Sequence, residues 1–108
     1  MVHRDVRWGN ILAYKNKWLL TDYEHSGREW EKPTFWLDHW PRTASNGYSR
    51  KCDLYLVGKL FDEILFTLSP EAIQVKQFLI EQKLQNCEDA LKCNWFNYYH
   101  NSIVKNAP

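Results

Sequence analysis

His3-Arg4-Asp5-Val6-Arg7-Trp8-Gly9-Asn10 is the stretch on which the reading of the whole chain turns. It sets a carboxylate five positions ahead of a carboxamide and runs straight into the apolar stretch Ile11-Leu12-Ala13-Tyr14. A second apolar stretch, Trp18-Leu19-Leu20-Thr21, ends on the acid Asp22. Between them lies Lys15-Asn16-Lys17, a polar turn in which Asn16 can take a left-handed backbone. The pattern predicts a loop, a strand, a tight turn, a second strand and an acid. Folding that hairpin returns Asp22 to the neighbourhood of Asn10 and Asp5. Two hard oxygen donors, Asn10 and Asp22, then face one candidate base, Asp5, across a small cleft. Mg²⁺ takes only one or two such ligands from protein and the rest from phosphates and water. A further carboxylate can orient an attacking hydroxyl, so the pattern suits phosphoryl transfer from a magnesium nucleotide. The plainer reading of Asp5 or Asn10 taken alone is a turn cap.

A chain of 108 residues is expected to make one small domain. Its formal net charge of +1 gives no electrostatic footprint for nucleic acid or a membrane surface. No apolar stretch is long enough to cross a bilayer, and the N-terminus lacks a signal-peptide pattern. Cys52, Cys87 and Cys93 are odd in number and lack metal-type spacing. They read as reduced core thiols of a cytoplasmic or nuclear protein, not a secreted one. The four histidines pair with no cysteine at a ligand interval, which argues against zinc.

Residues 25 to 51 are rich in turn formers: Ser26-Gly27, Lys32-Pro33, Trp40-Pro41 and Ser45-Asn46-Gly47. So long a loop in a small domain needs a function. It also carries Trp30, Trp36 and Trp40, which either pack on helices beneath or form a patch for a partner. From Cys52 the pattern turns helical, with Val57, Leu60, Phe61, Ile64, Leu65 and Leu68 at three- and four-residue intervals. This helix is expected at the centre of the core. Ser69-Pro70-Glu71 predicts a second helix start, with Ser69 as N-cap, and Ala72, Val75, Phe78 and Leu79 give that helix an inward face. Asn86 followed by Glu88 and Asp89 predicts a third. The tail from Asn97 is expected to continue through Tyr98, Tyr99 and Ile103 before fraying.

His3-Arg4-Asp5 with Asn10 resembles the catalytic loop H-R-D-x-x-x-x-N of the protein-kinase superfamily, and Asp22 stands where that family has its magnesium-binding Asp. Asp53-Leu54-Tyr55-Leu56-Val57-Gly58 resembles the family's D-x-W-x-x-G, and Ala90-Leu91-Lys92-Cys93-Asn94-Trp95-Phe96 its closing A-L-x-H-P-W-F. The resemblance implies a fold that is mainly α with a small β-hairpin, the C-terminal lobe of a protein kinase with the N-terminal lobe absent. Residues 1–24 would be the catalytic loop and metal-binding hairpin, 25–51 the activation segment, and 52–104 the helical core. It implies ATP and Mg²⁺ as cofactors, with Asn10 and Asp22 as nucleotide and metal ligands, and a protein or peptide substrate. Asp5 becomes the catalytic base and Arg7 stands where kinases usually have a phosphate-contacting Lys. His3 and Asp53 would support the catalytic loop. Arg4 would be the partner of a phosphate on Thr34, Thr43, Ser45 or Ser49.

The departures matter as much as the matches. No Gly-rich phosphate loop, strand Lys or partnering helix Glu precedes His3, so the chain reads as a fragment, a truncated product or a reduced relative, inactive alone. Asp22-Tyr23-Glu24 replaces D-F-G and loses the flexible Gly. Tyr23 keeps an aromatic that can pack under the loop. Arg42 replaces the Glu of A-P-E, and its late Arg partner is Leu84, so both members of that pair are gone together. The step from Leu68 to Ser69 leaves no room for an additional substrate-docking helix. Asp22-Tyr23-Glu24 also resembles the aminoglycoside- and choline-type small-molecule kinases. Phosphotransferase, small-molecule kinase and non-catalytic binding module therefore all stay open.

Overall fold

The protein is described by a computed structural model, which describes residues 1–15, 17–64 and 67–93. Asn16, Leu65, the Asn94-Trp95-Phe96 end of the closing motif and the whole tail lie outside the described residues.

The described residues form three α-helices and one two-stranded antiparallel hairpin. Strands β1 (Ile11–Tyr14) and β2 (Lys17–Leu20) pair Ile11 with Leu20 and Tyr14 with Lys17. That register leaves a two-residue connection, in which Lys15 takes the left-handed region at φ 46°. Leu12, Tyr14, Trp18 and Leu19 stay exposed, and Leu20 at the hairpin base packs on the core.

Helix α1 (Arg50–Leu60) passes into a short 3-10 turn at Phe61–Glu63. It is shorter than the periodicity suggested, because Ile64 is already extended at ψ 125°. Ile64 and Leu68 still pack on the core from outside the helix, which is why they kept the spacing of an inward face. The start also moves upstream. Ser49 makes no side-chain cap, and Glu29 from the preceding segment accepts the Arg50 N–H at 2.7 Å instead. Its carboxylate takes Arg50 Nε and a terminal guanidinium nitrogen as well, both at 2.8 Å. A carboxylate there also suits the positive end of the helix dipole.

Helix α2 (Pro70–Ile80) begins as its sequence dictates: Ser69 Oγ accepts the Ala72 N–H, and Pro70 occupies the first turn where its missing N–H costs nothing. Helix α3 (Cys87–Leu91) is capped by Asn86, whose side chain accepts the Asp89 N–H at 2.9 Å. Two apolar clusters result. Val2, Val6, Trp40, Ala44, Tyr48, Cys52 and Leu56 make one, and Leu54, Phe61, Ala72, Val75, Leu79 and Ala90 the other. Helix α1 lies between them and serves both, so its most buried residues alternate (Cys52, Leu54, Leu56, Gly58) and do not form one stripe. Asp62 ties the end of α1 to α2 by pairing with both Lys59 and Lys76. All three cysteines are free, and Cys87 is exposed, which corrects its reading as a core thiol. No helix among the described residues is long and apolar enough to cross a membrane.

Candidate active site

Asp53, in the first turn of α1, is the brace beneath the opening loop. Its carboxylate accepts the backbone N–H of His3 at 2.8 Å, that of Arg4 at 3.0 Å, and the hydroxyl of the fully buried Tyr48 at 2.7 Å. Burial and the neighbouring Asp53 push the Tyr48 hydroxyl far above the ordinary tyrosine range. Arg4 holds φ 76°, a costly left-handed conformation for a residue with a Cβ. Both of its backbone groups are fixed: the N–H by Asp53, and the carbonyl by the indole N–H of Trp40 at 2.5 Å.

His3 locks the loop to the hairpin. Its Nδ1 accepts the Asp5 N–H at 3.1 Å, so Nε2 carries the hydrogen and donates to the Thr21 carbonyl at 2.8 Å. Thr21 is held again through its N–H and hydroxyl, which both donate to the Asn10 carbonyl. Asn10 donates its amide to Asp5 twice, to the carbonyl at 2.8 Å and to carboxylate Oδ2 at 3.0 Å. The loop, the hairpin base and α1 therefore form one connected network. Asp22 follows Thr21 directly, at φ 61°, a left-handed conformation that a short acid tolerates better than most residues.

Asn10 and Asp22 each keep oxygen atoms that no described residue engages. The Asn10 amide nitrogen is committed to Asp5, whereas Oδ1 accepts no hydrogen bond from any described residue and is not sealed from the surface. Asp22 is exposed and makes no hydrogen bond or ion pair among the described residues. No three His, Cys, Asp or Glu side chains there form a group that could hold a metal. A cation held by Asn10 and Asp22 would take its remaining ligands from phosphates and water, as Mg²⁺ ordinarily does.

Asp5 is less open than the sequence suggested. Its carboxylate is only 7 % exposed, and Oδ1 is covered twice, by Arg7 Nε at 3.3 Å and by His39 Nε2 at 3.2 Å. Nothing in the local pattern points to His39, which stands in the irregular segment with no informative spacing. Tyr48 stands in the same irregular segment and carries no local signal either. Arg7 directs Nε at Asp5 while most of its side chain stays exposed.

The three loop tryptophans divide. Trp40 is 5 % exposed, stacked edge-on against Tyr48, whereas Trp30 and Trp36 are 65 % and 47 % exposed. Tyr23 touches His3 edge-on with ring centroids 5.0 Å apart and donates its hydroxyl to the Leu20 carbonyl, yet remains exposed. It flanks the loop and does not fill a core position beneath it. Arg4 is buried, over the Tyr48 ring, with long 3.4 Å contacts from its guanidinium to the His25 and Glu31 carbonyls. Its Nε has no partner, and no carboxylate pairs with it among the described residues. Thr34, Thr43 and Ser45 are exposed, but Ser49 is buried against Cys52, which removes it from the candidate modification sites. Arg42 is exposed, and Leu84 packs on the second apolar cluster. Comparison with protein-family models, with curated proteins and with solved structures returns no match.

Proposed function

We propose that the protein is the C-terminal-lobe part of a protein-kinase-like phosphotransferase, with Asp5 as the base and Asn10 and Asp22 as the ligands of a magnesium nucleotide. The observation that carries this reading is the state of Asn10. Its side-chain amide is tied to both the carbonyl and the carboxylate of Asp5, its side-chain oxygen takes no hydrogen bond from a described residue, and its backbone carbonyl holds Thr21, the residue before Asp22. A turn cap needs only one such bond. A residue whose two ends serve a base and a cation needs this division of labour.

In this reading Asp5 orients a Ser, Thr or Tyr hydroxyl and accepts its proton, while Asn10 fixes the carboxylate's rotation. Mg²⁺ would neutralise charge on the phosphates when bound with ATP. Asp53 and His3 act beneath, holding the loop and hairpin in register. The buried Arg4 guanidinium, with no carboxylate partner, supports its assignment as the partner of a phosphate in the 25–51 segment. Arg7 offsets the charge of Asp5, since its Nε pairs there.

Transfer of labelled phosphate tests the reading. If the site is live, Asp5→Ala is expected to abolish transfer, and Asp22→Ala to weaken nucleotide binding as well. Wild-type turnover in both rejects the assignments. Peptides assayed against amino alcohols separate protein kinase from small-molecule kinase, the class that Asp22-Tyr23-Glu24 resembles. One observation favours a non-catalytic binding module instead: Oδ1 of Asp5 is already occupied by Arg7 and His39. Isothermal titration with Mg–ATP decides. Half a cleft is expected to bind nucleotide negligibly by itself, and micromolar affinity would overturn that expectation and argue against the module.

A further inference from the structure

A carboxylate that takes a proton from a hydroxyl must offer that hydroxyl an open oxygen within hydrogen-bond reach. At Asp5 one of the two oxygens, Oδ1, is covered as the protein stands. Each carboxylate oxygen has two lone-pair positions. Arg7 Nε lies 3.3 Å and His39 Nε2 3.2 Å from Oδ1, and Oδ2 accepts one hydrogen bond, from Asn10. Arg7 and Asn10 belong to the same loop as Asp5, but His39 comes from the 25–51 segment.

The position of His39 is imposed by its neighbours. The Trp40 N–H closes a turn on the Leu37 carbonyl at 3.0 Å, and the Trp40 indole is anchored on the Arg4 carbonyl, one residue before Asp5. Trp40 is buried among Phe35, Trp36 and Tyr48. With Trp40 fixed, the preceding residue is delivered onto Oδ1. The His39 side chain is 37 % exposed, so it lies on the outer side of this contact, where it can lift away.

We infer that His39 is a gate on Asp5. The turn Leu37–Trp40 holds its imidazole over Oδ1, and an acceptor hydroxyl gains that oxygen only by displacing it. This rests on Asp5 being the base proposed above and adds the regulation of that site. The segment thus carries its own occupant of the acceptor position, and a hydroxyl-bearing peptide is the class of molecule that competes with it.

Carbodiimide-driven coupling of an amine to carboxylates, mapped by peptide mass spectrometry, reads the gate without requiring activity. His39→Ala is expected to raise labelling of Asp5 several-fold while Asp53, half-buried behind the loop, stays at its wild-type level. His39→Gln, whose amide can still donate to Oδ1, is expected to stay near wild type. His25→Ala, in the same segment but with its side chain paired to Glu24 and packed on Phe35, serves as the control. Unchanged Asp5 labelling in His39→Ala overturns the gate. An equal rise at Asp5 and Asp53 also overturns it, because the substitution has then opened the whole loop. Failure of Mg–ATP binding would leave this labelling pattern unaffected, so the gate and the phosphotransferase reading fail separately.

Discussion

Replacing Asp53 with Ala should damage this protein more than any other single change to a polar side chain. Its carboxylate accepts three hydrogen bonds, from the His3 and Arg4 amides and the Tyr48 hydroxyl. All three donor residues are buried, Tyr48 completely. A buried donor left without its partner costs about 1–3 kcal/mol. The three costs do not add fully, since water can enter the space left by the carboxylate. Arg4 would also lose one of the two anchors that hold its positive φ. The expected loss is about 3–5 kcal/mol, a large share of the roughly 5–15 kcal/mol by which domains are stable. Tyr48→Phe removes one donor and leaves the other two paired, so it should cost about 1 kcal/mol. Urea unfolding of both variants and of the double mutant measures the terms and their coupling. Amide hydrogen exchange at His3 and Arg4 should rise in Asp53→Ala and stay low in Tyr48→Phe. A loss below about 1 kcal/mol in Asp53→Ala, with exchange unchanged, would refute the brace.

Gly58 meets α2 so closely that a Cβ would lie 2.9 Å from Leu79 Cβ and 3.1 Å from Ile80 Cδ1. Gly58→Ala should therefore destabilise by about 1 kcal/mol in urea unfolding, overpacking outweighing the gain in helix propensity. Ser69→Ala removes the cap of α2 and should cost about 1 kcal/mol by the same measurement. The hydrogen bonds and charge of Arg50 hold the Glu29 carboxyl at about 2, against an ordinary 4.5. The folded value is the lower one, so this pair stabilises fully above pH 4.5, and the contribution is lost as pH falls toward 2. Acid unfolding of Glu29→Gln should show a flatter dependence across that window. Tyr48 runs the other way: its folded value lies above the ordinary 10.0, so its contribution is lost as pH rises beyond 10.0. Tyr48→Phe should show less alkaline destabilisation than wild type.

The hairpin was legible because two apolar runs flanked a polar turn, and its register follows from the shortness of that turn. The starts of α2 and α3 were legible because Ser69 and Asn86 are N-caps with acids close behind. Helix α1 was harder to bound. Its C-terminal end has no glycine or proline stop, and Ile64 and Leu68 continue the apolar spacing after the backbone has left the helix. Its N-terminal partner, Glu29, lies far back in the chain, and such non-local caps leave no local pattern. The same limit applies at the site. Asp5, Asn10 and Asp22 are close in sequence and could be grouped by eye, whereas His39 and Tyr48 reach it only through folding of an irregular segment. Trp40 could have pointed there, because a buried indole N–H needs an acceptor, but the sequence does not say which carbonyl supplies it.

The proposed phosphotransferase requires Asn10 Oδ1 and the Asp22 carboxylate to serve one cation beside Asp5. Titration with Mn²⁺, a paramagnetic substitute for Mg²⁺, tests this in amide NMR spectra of the wild type and Asp22→Ala. The Asn10 side-chain amide and the backbone amides of Asp22 and Tyr23 should broaden first in the wild type, and Asp22→Ala should abolish that selectivity. Sharp Asn10 and Asp22 signals while those around Glu88 and Asp89 disappear, equally in both proteins, would contradict it.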